Sequence, residues 1–299
     1  MVKNKGKKST ASQNDIKVTT VVVVLGLAVA AFFLFFPKSK EPSGPKKVLP
    51  VIKQIRPKPL PVAVITPIAI KKMPQGSAGK IAIIIDDWGQ SLGNCKYLEE
   101  ISEPLAVSIL PGLRHTKDVA RCAGQSHKMT MLHLPLEALN NNDFYPQDYI
   151  IKTTMKPNLV LKILDEDLDQ LPSIEGVNNH MGSKATEDKN LMKLIFRKLK
   201  KKKLFFVDSM TAHNSVCAQL AGEMDLAFSK RDVFLDNVNN REAIIKQLML
   251  LAQKARHRGY AVAIGHDRHL TMQVLKEQIP VLEDQGFEIV SIKDLLKKR

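Results

Sequence analysis

Lys80-Ile-Ala-Ile-Ile-Ile-Asp-Asp-Trp-Gly89 decides the fold. Ile81–Ile85 is an unbroken apolar run, too short for a buried helix and without the alternation of a half-solvated strand, so it reads as a strand covered on both faces. Such strands belong to parallel sheets flanked by helices. The downstream sequence repeats the unit. A helix over 91–101 precedes the strand Leu105–Ile109, and a helix over 115–125 precedes Met129–His133. After a loop at 134–156 come a helix near 158–170, a short strand at Gly176-Val177, a helix at 188–203 and the strand Leu204–Val207. A helix at about 214–223, Val233–Leu235, a helix at 239–257, Tyr260–Gly265, a helix at 271–284 and Phe287–Val290 complete the alternation. A doubly wound layer or a closed barrel would satisfy it, and about seven strands favour the barrel.

Nearly every strand ends in a group able to bind a metal or move a proton: Asp86-Asp87, His133, Asn179-His180, Asp208, Asp236 and His266. Taken singly, each has an ordinary explanation, since a strand-end Asp caps the next helix and a lone His is usually a hydrogen-bonded structural residue. In a parallel barrel, however, all strand C-termini open on one face, so residues distant in sequence meet in one cleft. Adjacent carboxylates suit a division of labour in which one Asp binds a divalent cation and the other takes a proton from water at that site. With His133 and His180 as imidazole candidates, an N,N,O set fits zinc and other late divalent metals. His266, in Ile264-Gly-His-Asp-Arg268, is placed to protonate a leaving group. His115, His127, His213, His257 and His269 fall on helices or beyond strand ends and read as surface residues.

The 299 residues carry a net charge of +15, of which +12 falls in residues 1–78 and only +3 in 79–299. The larger part therefore lacks the dense positive surface that a phosphate backbone requires, which argues against nucleic acid as a partner. Cys95, Cys122 and Cys217 form no Cys-x-x-Cys and cannot all pair, so neither a disulfide framework nor a cysteine zinc site is indicated. Residues 18–36 are 19 uncharged residues, about 28 Å as a helix and close to a bilayer's hydrocarbon thickness. The run ends in Phe-Phe-Leu-Phe-Phe rather than in small residues, which favours an uncleaved signal anchor over a cleaved signal peptide. Residues 37–78 hold nine of the 16 prolines and read as a semi-rigid spacer. The expected organisation is a cytoplasmic basic tail at 1–17, a transmembrane helix at 18–36, a Pro/Lys-rich linker at 37–78 and an exported domain at 79–299.

Seven stretches carry a family resemblance: Lys80–Gly89, Ser108-Ile-Leu-Pro111, Leu132-His-Leu-Pro-Leu-Glu137, Gly176-Val-Asn-Asn-His-Met-Gly-Ser183, Phe206-Val-Asp-Ser209, Arg231-Asp-Val-Phe-Leu-Asp236 and Ala263-Ile-Gly-His266. In this order, over about 80–295, they resemble the divergent polysaccharide deacetylases. The resemblance implies a distorted (β/α) barrel in which Asp87, His133 and His180 hold the metal, Asp86 is the base and His266 the acid. Two departures accompany it: the histidines come from separate strand ends instead of one His-x-x-x-His segment, and an Arg-x-Pro-Tyr segment is missing. The expected protein is a single-pass protein of a bacterial inner membrane, its C-terminal domain in the periplasm. It would remove acetyl groups from a polysaccharide or peptidoglycan with a divalent metal, zinc being the first candidate. The alternative is a catalytically inactive barrel that binds a glycan or an envelope protein.

Overall fold

A computed structural model describes residues 77–140 and 145–296. The basic tail, the apolar run at 18–36 and most of the linker lie outside the described residues. Among the described residues no helix is long and apolar enough to cross a membrane.

The strands are β1 (Gly79–Trp88), β2 (Ala106–Ile109), β3 (Met129–Leu136), β4 (Gly176–Met181), β5 (Phe205–Asp208), β6 (Phe228–Lys230), β7 (Val233–Phe234), β8 (Tyr260–His266) and β9 (Phe287–Ile289). Between them run the helices α1 (Cys95–Glu100), α2 (Thr116–Gln125), α3 (Pro157–Asp169), α4 (Lys189–Lys201), α5 (Cys217–Met224), α6 (Arg241–Arg258) and α7 (His269–Asp284), and α8 (Ile292–Leu295) follows β9. All the pairings are parallel, in the order β6-β5-β4-β3-β2-β1-β8-β7, with β9 beside the start of β1.

Strand alternation divides the apolar residues into two layers. Ile81, Ile83 and Ile85 of β1, with Leu132 and Leu134 of β3 and Phe206 of β5, pack outward into the main core with the helices. Ala82, Ile84, Met131, Phe205, Val207, Val262 and Ile264 form a second cluster on the concave side, joined by Ile292 of α8. Burying each large aliphatic side chain contributes about 1.5–3 kcal/mol. Gly176 opens β4 because the Phe205 ring occupies the space a Cβ would need.

The barrel expectation needs correction at one seam. No ladder joins β6 to β7, so the sheet is a curled, open one. A single stretch of chain, 228–235, straddles the opening. Its first half pairs with β5, where the Arg231 amide donates to Asp208 O at 2.9 Å; its second pairs with β8, where the Asp232 amide donates to Val262 O at 2.8 Å. The sequence reading missed β6, three residues with no buried member, and α8. It also cut β4 short at Val177, because Asn178, Asn179 and His180 do not look like strand residues. Their backbone nonetheless pairs with β3, His133 opposite Asn178 and Pro135 opposite His180. The expected helix 91–101 shrinks to Cys95–Glu100, since Ser91 Oγ accepts from the Gly93 amide and holds 91–94 as a turn. The three cysteines are free thiols.

Candidate metal centre

The residues that point into the concave side change character along each strand. On β1, Ala82 and Ile84 are followed by Asp86; on β3, Met131 by His133; on β8, Val262 and Ile264 by His266. The lower part of the hollow is thus apolar and its C-terminal end polar. Asp86 pairs in register with His266 across β1 and β8.

Two adjacent residues of a regular strand cannot face the same side. Asp86 and Asp87 do so because β1 breaks: the register to β2 shifts between Ile85 and Trp88, and Asp87 has φ +64°. That left-handed conformation costs about 1–2 kcal/mol outside glycine, and Met181, the last residue of β4, and Met210, just beyond β5, adopt it as well. Strain of this kind concentrates at functional sites.

Asp87, His133 and His180 converge as the one group among the described residues able to offer three ligand atoms to a metal ion. Asp87 Oδ1 lies 3.2 Å from His133 Nε2 and 3.1 Å from His180 Nδ1, and the two nitrogens are 3.2 Å apart. Ligand atoms about 2.0–2.2 Å from a common cation are about 3.3–3.6 Å apart in a tetrahedral set and about 2.8–3.1 Å in an octahedral one, so the triangle's edges fall in the range of a ligand set. Asp87 Oδ1 is buried, and neither imidazole meets it with hydrogen-bond geometry. The two imidazoles share a hydrogen bond, His180 Nδ1 to His133 Nε2, while the Asp87 oxygen beside them is left without a hydrogen-bond partner. The donor set therefore fits a divalent cation.

Asp86 is 2% exposed; Asn178 donates to its Oδ1 at 2.8 Å, and its Oδ2 lies 3.7 Å from His133 Nε2. Burial pushes the Asp86 carboxyl above the usual range, against the pull of His133. For Asp87, burial acts in the same direction but the His133 and His180 nitrogens outweigh it, holding that carboxyl well below its usual value. Two neighbouring carboxyls are thereby driven apart, a pattern typical of an acid–base pair with separate tasks.

His266 donates from Nδ1 to Asp236 Oδ1 at 2.8 Å, leaving Nε2 toward the cleft, 3.8 Å from Asp87 Oδ2. Asp236 is itself fixed by the His266 amide at 2.9 Å and Thr271 Oγ1 at 2.7 Å. Burial lowers the His266 pKa, but Asp236, Asp87 and Asp86 overcome it and the net shift is upward.

All five residues expected at the site, Asp86, Asp87, His133, His180 and His266, are brought together. Asn179 and Asp208, also strand-end candidates, brace loops instead. Asn179 donates to Met181 O and accepts from the Ser209 amide, while Asp208 accepts from the Met210 amide and Ser215 Oγ. His115 pairs with Asp118 and His269 with Tyr97, away from the triangle. The sequence reading passed over Asn178, Ser108 and Ser209, which surround Asp86 and His133. Strand parity could have found Asn178, since it shares a face with His180.

A family model described as divergent polysaccharide deacetylase matches residues 83–296. The chain belongs to that family. The uncharacterized protein YibQ of Escherichia coli K12 is 31% identical over 206 residues, covering 68% of this chain and 63% of its own length. An uncharacterized Haemophilus influenzae protein is 30% identical over 197 residues, 66% of this chain and 70% of its own. Among solved structures, an uncharacterized protein of Agrobacterium tumefaciens C58 shares the fold, with a TM-score of 0.70 over 75% of this chain and 91% of that one at 17% identity. The matched segment of this family member contains each of the five residues of the site.

Proposed function

We propose that the protein is a metal-dependent hydrolase that removes acetyl groups from an envelope polysaccharide or peptidoglycan. The observation that carries this reading is the Asp87–His133–His180 triangle with a buried carboxyl, Asp86, and a carboxylate-held imidazole, His266, beside it. Asp87, His133 and His180 would hold the cation, zinc being first choice for an N,N,O set. When bound, such a cation polarises a carbonyl and acidifies water.

The chain's own groups account for the protons. Asp86 presents Oδ2 to the cleft while Asn178 holds Oδ1, and its burial makes it a stronger base than an exposed carboxylate. It accepts the proton of a water attacking the acetyl carbonyl as the new C–O bond forms. His266, kept protonated by Asp236, donates from Nε2 to the sugar nitrogen or oxygen as its bond to the acetyl carbon breaks. Acetate and a free amine or hydroxyl result, and the proton on Asp86 returns to His266 through solvent. In this reading the apolar run 18–36 anchors the chain in a bacterial inner membrane and 37–78 spaces the domain from it on the periplasmic side.

Full-length protein loaded with zinc should release acetate from acetylated chitin oligomers or peptidoglycan fragments, and removal of the metal by a chelator should stop it. Binding of such a glycan without acetate release would favour a non-catalytic barrel instead. Recovery of the full-length protein from detergent-free lysate in the soluble fraction would remove the anchor.

A further inference from the structure

We infer that Asn178 is the positioning residue of the site, holding the base with one end of its carboxamide and a metal-ligating imidazole with the other. The inference rests on the roles proposed for Asp86 and His133. Asn178 Oδ1 accepts from His133 Nδ1 at 3.0 Å and from Ser108 Oγ; its Nδ2 donates to Asp86 Oδ1 at 2.8 Å and to Ser209 Oγ at 3.3 Å. A carboxamide has two acceptor sites and two N–H donors, and these four neighbours use all of them.

The arrangement has a direction. A carboxylate only accepts, so Asp86 fixes which end of the amide faces it. The oxygen is then left for His133, which must carry its proton on Nδ1 to meet it. Nε2 is thereby left bare, and Nε2 is the atom that faces Asp87 and His180. Partners of this kind, which set the tautomer of a ligating histidine, change metal affinity by about 10–100-fold when removed. Asn178 is fully buried in a strand, a place where a carboxamide is costly unless satisfied and where Val or Ile would suit the sheet better.

Two near-isosteric variants separate the two ends. Asn178→Asp keeps an acceptor for His133 but gives up the donor to Asp86 and sets a second carboxylate against it. Asn178→Leu gives up both. In metal-free full-length protein, nitrogen–proton correlation spectra should show His133 protonated on Nδ1 in the wild type and in Asn178→Asp, and in mixed tautomers in Asn178→Leu. Zinc affinity, measured by competition with a chromophoric chelator, should fall about tenfold or more in Asn178→Leu and stay near wild type in Asn178→Asp. Acetate release should nevertheless fall by about 10²-fold or more in Asn178→Asp, the loss expected when a general base is displaced. A wild-type tautomer and zinc affinity in Asn178→Leu would overturn the inference, as would full turnover in Asn178→Asp. If Asn178→Leu fails to fold, the split between zinc affinity and turnover in Asn178→Asp decides. A wild-type protein that releases no acetate would refute the deacetylase reading, while the tautomer and zinc measurements would still decide the role of Asn178.

Discussion

His266 stands between two carboxylates, Asp236 at its Nδ1 and Asp87 near its Nε2, and its pKa lies above the ordinary value of 6.5. A histidine whose folded pKa exceeds its unfolded one stabilises the protein fully below the unfolded pKa, and that stability is lost as pH rises through the folded pKa. In metal-free protein, His266→Ala should therefore cost stability at pH 5–6 and less at pH 9, which thermal melts across this range will show. In the metal-loaded protein the same substitution should lower kcat/KM by about 10²–10⁴ and flatten its basic limb. Asp87→Ala, His133→Ala and His180→Ala should each empty the site of metal while Asp86→Asn retains it, as elemental analysis would register. Asp167 of α3 behaves differently. It is fully buried, neither oxygen has a hydrogen-bond partner, and burial pushes its carboxyl to about 8. It is neutral in the folded state at pH 7 and ionised in the unfolded one, so stability falls as pH rises from about 4 to about 8. Asp167→Leu should remove that decline and add about 1–3 kcal/mol at neutral pH.

At the scale of elements, β1 shows what its sequence could and could not disclose. Ile81–Ile85 announces a strand covered on both sides, and it is one. Asp86 and Asp87 mark the site, but nothing in their order says that the strand must break for both to face inward, because a bulge leaves no compositional trace. His133 and His180 were legible as strand-end groups; their separation of 47 residues concealed that β3 and β4 are neighbours, with His133 opposite Asn178 and His180 opposite Pro135. The helices were read to within a turn where apolar spacing is strong, as in α2 and α4, and less well where Gly93 and Ser91 impose a turn before α1. Short β6 and α8 gave no periodicity to read. A tight element junction lies at Gly176, where Gly176→Val would press into the Phe205 ring and shift the start of β4. Overpacking of this kind costs about 1–3 kcal/mol, and it should appear as a lowered Tm with zinc affinity reduced in parallel, because β4 carries His180.

For the sheet as a whole, the seam at 228–235 is held by side chains as well as by backbone. Arg231 reaches back to the β5 side, donating from Nε to Ser209 O at 2.7 Å and from Nη2 to Met210 O at 3.0 Å, whereas Asp232 reaches forward to the Val262 amide and to Arg258. Arg231→Ala should cost about 1–3 kcal/mol through those lost charge-assisted bonds. It should also raise amide exchange at the β5 and β8 edges well before that at Ile83–Ile85, whose strand has neighbours on both sides. The direction common to all the strands has a practical consequence. Chain enters β1 at Gly79, and about 23 Å of strand, at about 3.3 Å per residue, separates that point from Asp86; the Val290 amide donates to Ile81 O and Lys293 of α8 pairs with Glu175, beside the starts of β1 and β4. Both ends of the described chain thus emerge on the side remote from the cleft, so beads, fluorophores or fusion partners attached at either end should leave the mouth open to a polymer as bulky as a cell-wall strand.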